Sequence, residues 1–295
     1  MNKTPSAPWP APAKLNLFLH VLGRRDDGYH LLQTVFQFLD YADELEIHPR
    51  EDGQLTLSRN YSDVALEDDL VLRAARSLRR ACGQDRGADI RVHKRLPAGG
   101  GLGGGSSNAA TTLVALNALW RTGLTQEALA QIGLQLGADV PVFVHGQAAW
   151  AEGVGERLTP VEPARPWYLV VSPGFGVSTA RIFNAPDLTR NTPAITIRDF
   201  LEDHRGRNDC ETVVRGMYPQ IGELIDWLGR HAPSRLTGTG GCVFARFDAR
   251  EEAIRVQEML PAPWQGFVAR GLNRSPLLQR LLEEQTLQLK VKSEM

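Results

Sequence analysis

Near the start of the chain, Leu15, Leu17, Leu19 and Val21 alternate with Lys14, Asn16, Phe18 and His20. This is the period-two pattern of a strand with one buried face. A turn-rich, charged loop follows, "GRRDDGYH" at 23–30. After it, "LLQTVFQFLDYADELEIH" predicts one or two strands and "GQLTLS" another. The period becomes helical at "DDLVLRAARSLRRAC", with Asp68 and Asp69 at the expected start and Gly83 just past the end. "DIRVHKRLP" predicts a strand running into a glycine loop. Ser106, Ser107 and Asn108 are suited to cap the apolar helix that runs through Trp120. "TQEALAQIGLQLG" predicts an amphipathic helix, and "GADVPVFVHGQAAWAEGVGE" a turn with short strands.

Three prolines fall within nine positions at 158–166, "LTPVEPARP". That shift marks a joint and divides the chain into expected units 1–160 and 161–295. Beyond it, "WYLVVSP", "CVFARFD" and "GFVAR" predict strands, while "GELIDWLGRHA" and "REEAIRVQEML" predict helices. The charged last stretch, "EEQTLQLKVKSEM", is expected to fray. Strands and helices interleave without a regular βαβ beat, which predicts an α+β fold rather than a doubly wound sheet. With 295 residues, two domains sharing one cleft is the expected organisation.

Composition narrows the function classes. A formal net charge of -1 leaves no bulk positive charge to hold a nucleic acid. No stretch approaches the ~18 apolar residues of a membrane span, and the proline-rich N-terminus has no apolar run of signal-peptide length. Cys82, Cys210 and Cys242 are far apart and odd in number, which fits a reducing compartment. The expectation is a cytoplasmic protein with no nucleic-acid or membrane partner. The histidines show no metal-ligand spacing, so no structural metal is expected.

The chemistry concentrates in "LPAGGGLGGGSSNAATTLVALNALW", residues 96–120, where six glycines occupy the seven positions 99–105. Without Cβ atoms, successive backbone N–H groups can converge on an anion. The helix that follows adds unpaired N–H donors and the positive end of its dipole. A flexible linker would not end in a helix rich in Leu, Val and Ala, so phosphate binding is the reading. The lysine of a Walker A loop is missing after these glycines. Gly99, Gly101 and Gly104 match a dinucleotide fingerprint by letter. The acid expected about 20 positions on is Glu127, inside a predicted helix, so the context fails. No HRD or DFG tripeptide accompanies the loop, which excludes a protein kinase.

Two further residues gain meaning from company. Asp139, before a Val-Pro-Val-Phe-Val run, taken alone is an ordinary turn or capping acid. Lys14, at the start of an apolar strand, taken alone is a solvated strand end. Asn16 on the same strand face, and the glycine loop, change both readings.

Together, "PAKLNLFL", the "PxGxGLGGGSSNAA" loop and "RLTGTGGCVFA" near the C-terminus resemble the GHMP kinase superfamily of small-molecule kinases. Within it, "GRRDDGYHLLQTVFQFLDYADEL" and "GADVPVFVHGQAAWAEGVGE" resemble the branch that phosphorylates a cytidine-diphosphate-linked methylerythritol in the non-mevalonate isoprenoid pathway. The resemblance covers roughly residues 8–285. It implies a ribosomal-protein-S5-like N-terminal domain, a ferredoxin-like C-terminal domain and an active site between them. It also implies ATP as co-substrate, with Mg²⁺.

By the same resemblance, Asp139 matches the catalytic acid and Lys14 its partner. Pro97, Ala98, Gly99, Gly100, Gly101, Leu102, Gly103, Gly104, Gly105, Ser106 and Ser107 match the ATP phosphate loop, with Lys94 and Asp69 also on the nucleotide side. Asn16 matches a position near the reacting end of the substrate. Tyr29, His30 and Phe183 match residues that grip the cytosine, with Phe36 and Thr179 beside them. Aromatic faces suit a nucleobase, and a histidine suits its edge. One departure stands out: the family pattern "EDNL" is "EDDL" here, and Asp69 can accept from an adenine amino group but cannot donate as asparagine does. A different GHMP kinase, acting on mevalonate, homoserine or a sugar, and a non-catalytic nucleotide binder remain alternatives. The nucleobase signature argues against the first, and the presence of both Lys14 and Asp139 against the second.

Overall fold

The opening alternation becomes β1 (Trp9–Arg24) in the computed structural model, which describes residues 7–62, 64–203 and 206–293. Among the described residues β2 (His30–Arg50) is the one strand that β1 pairs with, antiparallel, and the other side of β1 meets only an isolated bridge from Leu19 to Asn208. An edge strand tolerates Pro10 and Pro12, which have no N–H to give. The register shifts between Asn16 and Leu19, and there the simple alternation fails. Phe18 packs in one cluster with Leu15 and Leu17, while Leu19 and Val21 pass into another. A bulge adds a residue and so exchanges the faces.

β2 is one unbroken strand of 21 residues. Next come β3 (Leu55–Arg59), α1 (Leu70–Cys82) and β4 (Gly87–His93), with β3 and β4 parallel and α1 as the crossover between them. The Asp69 side chain accepts the Val71 N–H at the start of α1, a cap worth ~1 kcal/mol. Gly83 closes the helix in left-handed conformation.

α2 (Gly104–Trp120) begins at least three residues earlier than the capping pattern predicts: Gly103 is the cap residue, and Ser106 and Ser107 lie inside the first turn. α3 (Gln126–Leu134) follows, capped by Thr125. The Val-Pro-Val-Phe-Val run is not a strand but α4 (Val140–His145). Pro141 stands in its first turn, where the missing N–H costs nothing, and Gly146 ends it. β-branched residues read as strand in isolation, but here burial on every side decides.

The chain continues through β5 (Ala149–Gly153), β6 (Arg157–Pro160), β7 (Trp167–Ser172), α5 (Thr179–Phe183), α6 (Ile197–Asp203), α7 (Glu211–Met217) and α8 (Pro219–Gly229). It closes with β8 (Ser234–Leu236), β9 (Val243–Phe247), α9 (Arg250–Glu258), β10 (Gln265–Leu272) and α10 (Pro276–Ser293). The sheet order is β3-β4-β2-β10-β7-β9-β8, with β1 and β5 also paired to β2 and β6 to β5.

Two helix-on-sheet cores result. Leu78, Leu113, Leu116, Trp120 and Phe143 meet Phe38, Leu45 and Val92 on the first half of the sheet. Val213, Val214, Ile221 and Leu224 meet Leu169, Val171 and Val243 on the second. Each large buried side chain contributes about 1.5–3 kcal/mol.

The last stretch is helical rather than frayed as far as Ser293, and its final two residues lie outside the described ones. Its residues dock on the first half: Arg280 lies 4.3 Å from the Trp9 ring and donates to Ala7 O, and Gln288 donates to Ala118 O. Tertiary contact has overridden a charged, weakly patterned sequence. Among the described residues no helix is long and apolar enough to cross a membrane.

Candidate active site

The glycine loop does two jobs. A Cβ on Gly99 would stand 2.7 Å from Gly176 Cα, and one on Gly101 would stand 2.2 Å from Thr237 O. Cys242 N–H donates to Gly100 O, and Val177 N–H to Gly99 O. The first three glycines therefore admit backbone from the second half of the chain. Those that follow border an open cleft of about 440 Å³ lined by Pro97 to Ser106, Lys14, Asn16, Lys94 and Asp139.

At the N-terminus of α2 the first intrahelical donor is Ser107, whose N–H reaches Gly103 O at 2.8 Å. The N–H groups of Gly104, Gly105 and Ser106 have no acceptor among the described residues. They sit at the positive end of the helix dipole, which is what an anion needs. Ser106 lines the cleft. Ser107 does not: it is buried, and its hydroxyl has no hydrogen-bond partner among the described residues. Lys94 is held beside the helix start by Asp43, Nζ to Oδ2 at 2.6 Å. Asp43 is fully buried and also accepts the N–H groups of Arg95 and Leu96.

Opposite the loop, Lys14 comes from β1 and Asp139 from the start of α4. They form an ion pair, Nζ to Oδ2 at 3.2 Å, with the lysine side chain 3% and the carboxylate 33% exposed. Lys14 Nζ also donates to Asn16 Oδ1 at 2.5 Å and to Gly101 O at 3.1 Å. The ammonium thus makes two hydrogen bonds and one ion pair. Asn16 Nδ2 donates to Thr34 Oγ1, whose hydroxyl donates to Phe18 O. Asn16 N–H donates to Thr237 Oγ1. Lysine on one side and threonine on the other fix the amide orientation of Asn16, with its oxygen toward the ammonium.

Phe183, Phe36 and Thr179 line the same cleft. Thr179 Oγ1 and Thr239 Oγ1 lie 2.8 Å apart, and the Lys14 ammonium is 5.2 Å from the Phe36 ring centre. His30 is buried and stacks on Phe183, ring centroids 5.0 Å apart. Burial and the nearby charges of Arg190 and Arg24 push its pKa down. Tyr29 stands apart at 63% exposure, on the turn that Gly28 and Asp27 close between β1 and β2. Asp69 is committed to structure: besides capping α1, it accepts from Arg59 and Tyr61. Any adenine contact there falls on a carboxylate that already has three partners.

These features coincide with matches along most of the chain. The profile for GHMP kinases N terminal domain matches residues 69–147, and that for GHMP kinases C terminal matches residues 192–266. A 4-diphosphocytidyl-2-C-methyl-D-erythritol kinase of Halorhodospira halophila is 59% identical over 93% of this chain and 96% of its own length. One of Nitrosococcus oceani is 55% identical over 92% and 97%. The chain belongs to the 4-diphosphocytidyl-2-C-methyl-D-erythritol kinase family, within the GHMP kinases. The crystal structure of a 4-(cytidine 5'-diphospho)-2C-methyl-D-erythritol kinase superposes with a TM-score of 0.78 at 32% identity, covering 90% of this chain and 98% of that one. A mevalonate kinase structure superposes at 0.68 with 16% identity and shares the fold.

Membership in this kinase family makes the chain an ATP-dependent small-molecule kinase of α+β class. Sequence reasoning singled out Lys14, Asn16, Asp139, Lys94 and the loop, and the structure brings them together around one cleft. It did not find Asp43, Thr34, Thr237 or Arg190. Asp43 left one clue, an acid at a strand position whose apolar neighbours point to burial. Thr34 left none, because a hydroxyl in a strand is commonplace; Thr237 follows β8 inside the quoted "RLTGTGGCVFA" motif, which marked the glycine turn but not this residue.

Proposed function

We propose that the protein transfers the γ-phosphoryl group of ATP to the 2-hydroxyl of 4-diphosphocytidyl-2-C-methyl-D-erythritol, in the cytoplasm, as a step of isoprenoid biosynthesis. The observation that carries this reading is the Lys14–Asp139 pair facing the unpaired N–H groups of α2 across one cleft. Residues 1–160 supply the nucleotide and catalytic side. Residues 161–295 contribute Thr179 and Phe183 and brace the loop through Thr237 and Cys242.

Phosphoryl transfer requires chiefly positioning and charge neutralisation. The N–H groups of Gly104, Gly105 and Ser106 and the Lys94 ammonium hold the polyphosphate. Asp139 accepts the proton of the attacking hydroxyl, and Lys14 stands beside both to offset negative charge on the transferred group. Asn16, its amide fixed by Lys14 and Thr34, presents polar atoms to the reacting end of the acceptor. The hard oxygens of Ser106 and Asp139 would hold Mg²⁺ beside the ATP phosphates. When bound it neutralises phosphate charge. His30 and Phe183, with Tyr29 at the rim, take the cytosine.

The test is ADP release with ATP, Mg²⁺ and three acceptors: the cytidine substrate, its uridine counterpart and base-free methylerythritol phosphate. Remote binding energy can position the reacting hydroxyl. The base-free form is therefore expected to be a very poor substrate and the cytidine form the best. Comparable kcat/KM for all three would return the protein to an unspecified GHMP kinase.

A further inference from the structure

One side chain ties His30 and Phe183 together, and no motif pointed to it. Arg190 donates from Nε to His30 Nε2 at 3.0 Å. Its Nη2 donates to the carbonyls of Phe183 and Ala185 at 2.9 and 2.6 Å, and Nη1 to Leu188 O at 3.1 Å. A guanidinium has five donors, no acceptor, and a charge that no ordinary pH removes. The imidazole nitrogen that meets it must therefore be the unprotonated one. A neutral ring with a bare Nε2 carries its proton on Nδ1. Protonating Nε2 would set N–H against N–H beside a fixed positive charge, with the Arg24 guanidinium adding to the repulsion. Nδ1 has no partner among the described residues and is not sealed inside the protein.

We propose that Arg190 is a positioning residue that locks His30 as the neutral Nδ1–H tautomer, so that the ring presents a hydrogen-bond donor, and no acceptor, to the edge of a bound base. This rests on reading the pocket as the nucleobase site. Between its amino and carbonyl groups cytosine carries a bare ring nitrogen, where uracil carries N–H. A donor on His30 pairs with the first and opposes the second. Stacking on Phe183 tolerates either ring, so the choice between them falls to the proton that Arg190 places. Discrimination by a buried donor is strong because the wrong edge leaves both groups unpaired.

The wild-type enzyme gives the direct test. Long-range proton–nitrogen correlation spectra near neutral pH, assigned with His30→Asn, are expected to show a protonated Nδ1 and a bare Nε2. A proton on Nε2, or averaging between tautomers, overturns the proposal. Kinetics add a second test. In Arg190→Met the cytidine-over-uridine preference in kcat/KM is expected to fall about 10-fold, with KM for ATP unchanged, and Arg190→Lys to restore part of it. Arg190 also holds three carbonyls, so the same change is made in a His30→Asn background. With no tautomer left to set, base preference there is expected to move by less than about 2-fold. Equal losses in both backgrounds would show that the arginine only supports the loop, and overturn the proposal. A fixed Nδ1–H with equal turnover of all three acceptors upholds the lock and removes the nucleobase reading instead.

Discussion

Replacing Asp139 by asparagine separates the chemistry of this site from its architecture. The Lys14 ammonium donates to Asn16 Oδ1 at 2.5 Å and Gly101 O at 3.1 Å, and pairs with the Asp139 carboxylate, Oδ2 at 3.2 Å. An amide at 139 keeps an oxygen beside the ammonium, and both hydrogen bonds of Lys14 stay in place. What disappears is the negative charge and the ability to take a proton. Because the carboxylate is 33% exposed, solvent screens the lost attraction, and the cost to stability is ~1 kcal/mol or less. In a chain of this size that is a Tm change of ~2–4 °C. Loss of a general base lowers kcat by ~10²–10⁴-fold, equivalent to ~3–5 kcal/mol of barrier. The catalytic effect thus exceeds the structural one several-fold, and one variant reads both. A coupled ADP-release assay gives kcat, titration gives ATP affinity, and a thermal melt gives Tm. Asp139→Asn is expected to melt near wild type, bind ATP and turn over at or below about a hundredth of the wild-type rate. Retention of more than about a tenth of kcat would show that Asp139 is not the base.

Three further outcomes are expected. Gly104→Val would bring a Cβ to 2.8 Å from Lys94 Nζ and set a branched side chain at the free N–H groups; KM for ATP should rise with the fold intact by circular dichroism, and unchanged nucleotide affinity would place the polyphosphate elsewhere. Asp43→Asn turns an amide N–H toward Lys94 while the other oxygen position can still accept from Arg95 and Leu96; steady-state kinetics should show KM for ATP rising about 10-fold with a much smaller change in kcat, and equal effects on both would make Asp43 a general structural residue. The His30 pKa lies below its ordinary 6.5, through burial first and then Arg190 and Arg24; the neutral ring is complete above 6.5 and is lost as pH falls through the lowered value, so KM for the cytidine substrate should climb only below 6.5, more steeply than KM for ATP, and a climb above 6.5 would contradict the assignment.

Much of this site was readable because its parts are constrained at short range. The glycine loop and the helix after it are adjacent in sequence, and the capping of α1 by Asp69 and Gly83 follows from local hydrogen bonding. Asp139 was found as a chemical group although its setting was misread. The apolar run after it is helical because Pro141 and Gly146 bound it and the core surrounds it, which no pattern of five residues conveys. The bulge in β1 was invisible for a related reason: it depends on the pairing with β2, and the sequence alone shows only alternation. α10 was missed because its anchors, Trp9 and Ala118, are distant in the chain. Arg190 and Thr237 act across about 160 and 220 residues of sequence, a separation that periodicity and spacing do not bridge.

The glycine loop itself shows why both halves of the chain are needed. Phosphoryl transfer depends on reacting atoms being held close to their productive separation, and a misplacement of about 1 Å can cost ~10²-fold. In this molecule one carbonyl, Gly101 O, accepts from the Lys14 ammonium at 3.1 Å and from Thr237 Oγ1 at 3.4 Å. The same threonine oxygen accepts the Asn16 N–H. The lysine, the asparagine, the glycine loop and the C-terminal glycine turn are therefore registered against each other through two oxygen atoms. Backbone must touch backbone for this to work, since a Cβ at Gly101 would overlap Thr237 O at 2.2 Å. Bare glycines at the front of the loop let the second half of the chain set the position of the lysine, and those at the back border the open cleft into which the lysine and Asp139 face.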